Sequence, residues 1–445
     1  MYSDELLRAF KRNGIALGDT ISVAKDGKEM IGELMPGTEA GSSNVIVLKL
    51  PSGYNIGISV TPKTAIKRVK GGTGTIRFPQ GRASARKGLP KVTLIYTGGT
   101  IGSKVDYKTG GVYMLTRPEE LLHEVPEISE IASLVVRNPF SIASEDMSYM
   151  EWQTIAEEIV AAFKDNSHGV VVTMGTDTMH YTAAALSFML HDLNGPVIVT
   201  GAQRSSDRGS SDAFLNLACS VRLAADSDVA EVGICMHSTS SDDECMLIRG
   251  TRARKMHTSR RDAFRPINDR PIAYVDRDLR IKYANDYNKS VGHVKDAPTA
   301  ETSFEGKVAL VKSYPNSDPG IIDYYADKGY RGIVIEGTGL GHFPASTKHE
   351  ELLWLNHVRD AIKKGIIVCM TSQCLYGRVN DNVYRNLRLI SGAGVIYCDD
   401  MLPETAYVKL GWLLGNFGTK ESEQLMSKDL RRETKPRSGY DEFLV

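Results

Sequence analysis

The sequence predicts an α/β fold with a doubly wound, mostly parallel sheet, a smaller C-terminal α/β domain and a small N-terminal β-barrel domain. Three observations support this prediction. Five short strand-like runs separated by turn residues occupy residues 19–70. From Lys91 onward, apolar strand-like runs alternate with helix-like runs. Two of those strands end in glycine and hydroxyl residues, and ligands of open α/β sheets bind at the carboxyl ends of strands, so we expect the functional site there.

Length, charge and composition exclude several classes of protein. The 445 residues are enough for about three domains. The 54 basic residues balance the 54 acidic ones, so no net charge attracts nucleic acid or a membrane. Eight basic and two acidic residues lie between Arg249 and Arg270, and such a patch is more often a solvated face than an RNA or phosphate surface. Since no apolar run of 18 residues and no signal peptide are found, we expect a cytoplasmic protein.

The six cysteines show no paired spacing, which predicts reduced thiols buried in the core. Cys235 and His237 are two residues apart, but no other residues complete a four-ligand set. We therefore expect no metal site in this chain.

The N-terminal region is predicted to be a separate small domain. Residues 1–15 have apolar positions at helical spacing, which predicts a short amphipathic helix. Turn pairs such as Asp26-Gly27 then separate short strands, and this pattern favours a small barrel of SH3-like type over residues 1–70. The predicted strands are 20–24, 30–34, 44–50, 55–59 and 65–69.

Residues 71–90 are rich in Gly, Ser, Arg and Lys, which predicts a linker. Residues 91–285 then form the first α/β domain, 286–305 a connection without periodicity, and 306–420 the second α/β domain. The polar residues 421–445 predict a tail that frays or docks on a partner. The predicted strands are 92–96, 134–137, 169–174, 196–200, 232–236, 308–313, 332–336 and 366–370, and the predicted helices are 118–124, 152–164, 181–190, 212–225, 320–328 and 350–364.

The first chemical motif follows the buried strand Val92–Tyr96, which ends in Thr97-Gly98-Gly99-Thr100. Two adjacent glycines allow a sharp turn and a close approach of the backbone to a ligand. A hydroxyl just beyond a strand end is well placed to act on that ligand. An ordinary strand-to-loop turn is the equally plausible alternative for this motif alone.

The second motif follows the strand Val170–Thr173 and reads Gly175-Thr176-Asp177-Thr178. Helix capping explains Thr and Asp at such a position about as well as chemistry does. Two parallel strands that deliver two threonines and an aspartate to one sheet edge nevertheless indicate a nucleophile site. Because threonine is a weak nucleophile, it needs a base, and a buried lysine can serve.

Together the two motifs resemble, in order and spacing, the signatures of bacterial-type L-asparaginases. The matching runs are Tyr96–Ile101 and Gly175–Met179, and Ser144–Met147 is similar to the substrate-clamp segment of that family. Lys255 matches the catalytic lysine of the family, although on its own it would be interpreted as a solvated residue of the basic patch. The resemblance covers roughly residues 90–420 and implies a two-domain asparaginase-like fold.

The resemblance implies roles for individual residues. Thr97 would attack the side-chain amide carbon, and Thr176, Asp177 and Lys255 would form a second catalytic set that activates a hydroxyl or a water. Which threonine forms the acyl-enzyme stays open, and we favour Thr97.

Substrate contacts are implied in the same way. Backbone N–H groups around the glycines would stabilise the oxyanion, and Ser144 with Asp177 would hold the α-carboxylate and α-amino groups. Tyr113 would close over the site on a glycine-rich flap, and Glu145 stands where many free asparaginases have glutamine. The implied substrate-binding residues are Gly98, Tyr113, Ser144, Glu145 and Gly175.

One departure from simple asparaginases narrows the function. Simple asparaginases do not need a region that corresponds to residues 1–90. With this N-terminal extension and the run Arg254–Phe264, the chain is similar to glutaminase subunits of tRNA-dependent amidotransferases. The resemblance implies that this chain hydrolyses glutamine and supplies ammonia to a partner subunit. That partner would use ATP and Mg to convert Glu-tRNA(Gln) to Gln-tRNA(Gln). Since no Gly-x-x-x-x-Gly-Lys-Ser/Thr phosphate loop is present, we expect no cofactor in this chain.

The family resemblance also implies a homodimer, here within a heterotetramer. Two alternative functions stay open: a free L-asparaginase with an accessory N-terminal domain, and a non-catalytic tRNA-binding scaffold. The choice between glutamine and asparagine depends on pocket depth, which the sequence does not give.

Overall fold

The computed structural model describes residues 2–35, 37, 42–50, 55–70, 88–105, 112–114, 128–205, 211–291 and 297–440. Three predictions fall outside these residues: the helix at 118–124, most of the linker (71–87), and the flap glycines Gly110 and Gly111.

The N-terminal domain contains one helix and five antiparallel strands, and each predicted strand is confirmed to within two residues of its bounds. The strand order is β4-β3-β2-β1-β5, so that the last strand returns to the first, as expected for an SH3-like barrel. Ile21 and Leu48 are buried in its core, and Leu6 and Phe10 of the helix cover that core. The elements are α1 (Asp4–Arg12), β1 (Thr20–Lys25), β2 (Lys28–Leu34), β3 (Val45–Lys49), β4 (Asn55–Ser59) and β5 (Ala65–Lys70).

The second domain is built on an eight-stranded sheet, and the predicted α/β fold class is confirmed. The order is β18-β17-β14-β13-β12-β10-β6-β9. Strands β13 to β9 are parallel, whereas β14, β17 and β18 add an antiparallel end that the alternating pattern did not predict. Six further strands pair outside this sheet as β7-β8, β11-β19 and β15-β16. The strands are β6 (Lys91–Tyr96), β7 (Ser103–Val105), β8 (Val112–Met114), β9 (Ser133–Arg137), β10 (Gly169–Thr173), β11 (Leu190–His191), β12 (Val197–Thr200), β13 (Val232–His237), β14 (Glu244–Arg249), β15 (Ala253–Lys255), β16 (Phe264–Pro266), β17 (Ala273–Asp276), β18 (Ile281–Tyr283) and β19 (Thr299–Ala300).

Helices cover both faces of this sheet. Ser148 and Glu151 form a capping box that begins the helix Tyr149–Lys164, where the side chain of Ser148 accepts a hydrogen bond from Met150 N. The next helix is buried on nearly every side, which is typical of a helix enclosed in the core. The helices are α2 (Ile128–Ile131), α3 (Tyr149–Lys164), α4 (Met179–Met189) and α5 (Ala213–Asp226).

The third domain contains a four-stranded parallel sheet in the order β20-β21-β22-β23. Its buried helix α9 packs against α4 of the second domain, so the two α/β domains share one core. The elements are β20 (Val308–Lys312), α6 (Gly320–Asp327), β21 (Gly332–Gly337), α7 (Trp354–Lys363), β22 (Ile367–Ser372), α8 (Arg385–Gly392), β23 (Ile396–Tyr397), α9 (Pro403–Asn416) and α10 (Thr419–Met426).

The prediction of a fraying polar tail from residue 421 is wrong for residues 421–437. The chain continues in α10 to Met426 and then crosses the body of the protein, where Glu433 is completely buried. Charged residues of this segment form ion pairs and hydrogen bonds with residues that are distant in sequence. The polarity of the segment therefore did not indicate that it is exposed to solvent. The predicted connection 286–305 also contains a strand, because Thr299–Ala300 pairs with Leu190–His191.

Within the described part of the chain, none of the helices is both long and apolar enough to span a lipid bilayer. The six cysteines are free thiols, and Cys374 is exposed whereas the other five are buried. The prediction of reduced core thiols is therefore confirmed for five of them.

Candidate active site

The two predicted motifs meet at the carboxyl edge of the large sheet. Strands β6 and β10 are parallel neighbours, and Tyr96 pairs with Thr173. The chain therefore leaves both strands side by side. A Cβ atom placed on Gly99 would lie 2.2 Å from the backbone nitrogen of Gly175, so that the two glycine turns are packed backbone against backbone.

Thr97 lies directly after β6 and is completely buried. Its backbone N–H and its Oγ1 both donate to the carbonyl oxygen of Thr173, each at 3.0 Å. Among the described residues, no hydrogen bond joins Thr97 to Thr176, Asp177 or Lys255. Thr97 therefore shares the sheet edge with the second set, but it is not hydrogen-bonded to that set in the described part of the structure.

The structure brings Thr176, Asp177 and Lys255, the second set, together. The Nζ atom of Lys255 donates to Oγ1 of Thr176 at 2.8 Å and to Oδ1 of Asp177 at 2.5 Å. The side chain of Lys255 is 10% exposed, whereas that of Asp177 is 66% exposed. The amine of Lys255 thus lies in hydrogen-bond contact with the hydroxyl of Thr176 and with the carboxylate of the adjacent Asp177, 79 and 78 residues earlier in the chain.

Lys255 reaches this position on a short hairpin. Strand β15 ends at Lys255, which pairs with the buried Phe264 of β16. In its neutral form, an amine in this position can accept the hydroxyl proton of Thr176, and the neighbouring carboxylate stabilises the ammonium that results.

Ser144 connects a third segment to the second motif. It begins a short 3-10 helix, Ser144–Asp146, and is buried. Its Oγ accepts from the N–H of Asp177 at 3.3 Å, and Thr178 Oγ1 donates to its carbonyl oxygen at 2.6 Å. A Cβ atom on Gly175 would lie 2.8 Å from Ser144 Oγ, so glycine is required there.

The other predicted substrate-binding residues are Glu145, Tyr113 and Gly98. Glu145 is exposed next to Ser144. The backbone of Tyr113 lies in β8, and its side chain is outside the described part of the structure. Gly98 has a φ of +109°, a conformation that favours glycine and turns the backbone sharply beside Thr97.

His180, on the first turn of α4, was not predicted from the sequence. Burial, together with the positive charges of Arg254 and Lys255, lowers its pKa to about 3, so the imidazole is neutral at physiological pH. Its Nδ1 is buried without a hydrogen-bond partner among the described residues. A lone histidine in an apolar run gives no local signal of such a position.

Replacing Gly99 with alanine is expected to destabilise the protein and to lower activity at least about tenfold. The new Cβ would meet the backbone of Met174 and Gly175, which cannot move aside without displacing Thr176. Gly365→Ala is the matched control, because Gly365 has a similar φ (+88° against +85°) but open space around it. Thermal unfolding should show that Gly99→Ala costs about 1–3 kcal/mol more than the control. Equal losses in the two variants would show that the close contact is unimportant.

The fold and the site define a class of protein, the asparaginase-type amidohydrolases. Residues 91–287 match the family model described as asparaginase, N-terminal, and residues 307–426 match the glutaminase/asparaginase C-terminal domain. The chain is 28% identical to the thermostable L-asparaginase from Thermococcus kodakarensis, with a TM-score of 0.68 over 78% of this chain and 100% of that one. L-asparaginase I from Vibrio cholerae is 29% identical, with a TM-score of 0.67 over 78% and 99%.

The chain belongs, within that class, to the GatD family, the D subunits of glutamyl-tRNA(Gln) amidotransferases. Residues 15–69 match the model described as GatD N-terminal domain. The D subunits of the glutamyl-tRNA(Gln) amidotransferases from Pyrococcus furiosus and Pyrococcus horikoshii are 47% and 48% identical over 98% of this chain and 98% of theirs. The one from Thermofilum pendens is 42% identical over 99% and 98%.

Proposed function

We propose that this chain is the glutaminase subunit of a Glu-tRNA(Gln) amidotransferase. It hydrolyses glutamine through a threonine acyl-enzyme and supplies ammonia to the E subunit of the amidotransferase, which converts Glu-tRNA(Gln) to Gln-tRNA(Gln) with ATP. The observation that supports this most directly is the contact of Lys255 Nζ with Thr176 and Asp177 at a sheet edge shared with Thr97. The GatD relatives, which match over nearly the full length of both chains, support the amidotransferase role.

The placement of these groups at one sheet edge supports the following chemistry. Oγ1 of Thr97 bonds to the side-chain carbon of glutamine, and the hydroxyl proton passes to the departing nitrogen, which leaves as ammonia. A water then attacks the ester, releases glutamate and restores the hydroxyl. Thr176, Asp177 and Lys255 would accept and return the protons, and N–H groups of the glycine turns would stabilise the oxyanion of each tetrahedral intermediate.

The partner subunit would carry out the remaining parts of the reaction. ATP and Mg would bind to the E subunit together with Glu-tRNA(Gln), and this chain would need no cofactor. Two copies of the chain would form a homodimer within a heterotetramer in the cytoplasm, without a membrane. Among the described residues, no group of three or more His, Cys, Asp and Glu side chains is placed to hold a metal ion.

Ammonia release tests this function. We expect the full chain to hydrolyse glutamine slowly by itself and at least about tenfold faster with the E subunit, ATP and glutamylated tRNA(Gln), because lid closure and site assembly commonly wait for the partner substrate. Glutamate and ammonia are measured in parallel. No release of ammonia under either condition would contradict the proposal and support a non-catalytic tRNA-binding scaffold.

A free L-asparaginase is the second candidate, favoured by the similarity of the two α/β domains to solved L-asparaginases. The same assay distinguishes it. Fast hydrolysis of asparagine without any partner, unaffected by tRNA, would favour this candidate over the glutaminase function.

A further inference from the structure

Four charged side chains that the proposed chemistry does not use are buried at the junction of the two α/β domains. Arg252, Asp400, Lys409 and Glu433 are each at most 3% exposed. Ion pairs removed from water recover their desolvation cost only when their geometry is good and further hydrogen bonds satisfy the remaining polar atoms. Within the described part of the chain, Arg252 Nη2 is left without such a partner. The contacts of these four side chains therefore show which segments are fixed to one another at this junction.

Glu433 fixes the segment that follows the last helix, residues 427–437, which we call the C-terminal strap. Its carboxylate accepts from Lys409 Nζ at 2.6 Å and from the N–H of Leu430 at 3.0 Å. Lys409 also donates to the carbonyl oxygen of Met426 at 3.1 Å. Burial favours the neutral acid, but Lys409 and the N–H donors outweigh it and hold the pKa of Glu433 below its usual value. The strap is thereby tied to α9.

The strap also forms hydrogen bonds with the turn at Thr251 and Arg252. This turn precedes the β15–β16 hairpin, which carries Lys255 and which we call the lysine hairpin. Arg431 and Arg432 offer their carbonyl oxygens to Thr251 Oγ1 and Arg252 Nε, both at 3.1 Å. The other end of the Arg252 guanidinium donates to Asp400 Oδ2 at 3.0 Å. Asp400 is itself bonded to the strap, because its Oδ1 accepts from the N–H of Lys435 at 3.0 Å.

This turn leads directly into β15, the strand of three residues that ends at Lys255. A ladder of three residue pairs gives little rigidity by itself. The position of Lys255 Nζ against Thr176 and Asp177 therefore depends on how firmly Arg252, three residues earlier, is held.

We propose that Glu433 and Asp400 are positioning residues of the amidohydrolase site: through the C-terminal strap and Arg252 they set the lysine hairpin against Thr176. This inference rests on the proposed function, in which Lys255 acts on the hydroxyl. A displaced amine lowers the rate of the chemical step and leaves substrate binding largely intact, since misplacement of a catalytic group by about 1 Å can cost about a hundredfold in rate.

Two variants, Glu433→Gln and Arg252→Lys, which we call the strap variants, test this series of contacts in the full protein with its amidotransferase partner present. Glu433→Gln removes the charge beside Lys409 but keeps an oxygen for the N–H of Leu430. Arg252→Lys keeps a positive charge opposite Asp400, but one ammonium group cannot also reach the carbonyl oxygen of Arg432. For both we expect kcat for glutamine to fall between about tenfold and a hundredfold, KM to change less than about threefold, and the pH profile of kcat to shift.

Ile322→Ala is the control for simple destabilisation, because Ile322 is fully buried in the core beside the small sheet and belongs to neither the strap nor the hairpin. It should lower the midpoint of thermal unfolding by an amount comparable to the strap variants and leave kcat unchanged below that midpoint. If Glu433→Gln does not fold, Arg252→Lys decides.

Values of kcat within twofold of wild type in the folded strap variants, or an equal loss in Ile322→Ala, would overturn the inference. Lys255→Met separates this failure from failure of the proposed function. If Lys255→Met is inactive and the strap variants are fully active, only the positioning role of Glu433 and Asp400 is excluded. If Lys255→Met is active, the proposed function on which that role rests is itself contradicted.

Discussion

Lys255→Met is expected to lower kcat for glutamine hydrolysis at least about a thousandfold, with little change in KM. Methionine keeps an unbranched stem of similar length and removes the amine that contacts Thr176 Oγ1 at 2.8 Å. Without it, none of the residues that the structure describes donates a side-chain nitrogen to the hydroxyl of Thr176. Steady-state kinetics with ammonia and glutamate as readouts give the measurement.

The fold should survive this change. Lys255 is paired with Asp177, whose side chain is 66% exposed, so the carboxylate left behind is solvated and is not a buried unpaired charge. Thermal unfolding of Lys255→Met should therefore stay close to wild type. Lys282→Met, at an exposed lysine of β18, is the matched control and should keep full activity. A Lys255→Met protein with more than about a tenth of wild-type kcat would exclude the amine from the mechanism.

The strand ends could be located from the sequence because their signals are local. Apolar runs that stop at Thr97 and at Gly175 show where β6 and β10 leave the sheet, and parallel neighbours must deliver those residues to one edge. Lys255 carries no such signal, since β15 is only three residues long and lies in a basic run. Only the resemblance to a family connected it to Thr176.

Contacts between distant segments explain what the sequence could not predict. The polarity of residues 421–437 indicated a tail, but the charge of Glu433 is matched by Lys409, which is buried within α9. The neutral state of His180 likewise depends on burial by α4 and on Arg254, 74 residues later. Patterns within one element indicate the element and the face it buries, but not which distant charge it meets.

The second large effect on kcat is expected at Thr97, the proposed nucleophile. Thr97→Val is expected to lower kcat at least about a thousandfold, whereas Thr97→Ser should keep measurable activity, because serine retains the attacking oxygen. Valine matches the shape of threonine. The carbonyl oxygen of Thr173 loses the hydroxyl donor but keeps the N–H of Thr97 at 3.0 Å, so the stability cost should be about 1 kcal/mol.

A covalent adduct distinguishes Thr97 from Thr176, since each hydroxyl lies at the same sheet edge and only Thr176 contacts the amine in this structure. If Thr97 attacks and the Lys255 set then activates water, Lys255→Met should accumulate a glutamyl ester on Thr97 after rapid quenching. Peptide mass mapping locates that ester, and Thr97→Val should show none. An ester found on Thr176 would contradict the assignment of Thr97 as the nucleophile. The attacking hydroxyl would then be that of Thr176, which is hydrogen-bonded to the amine of Lys255.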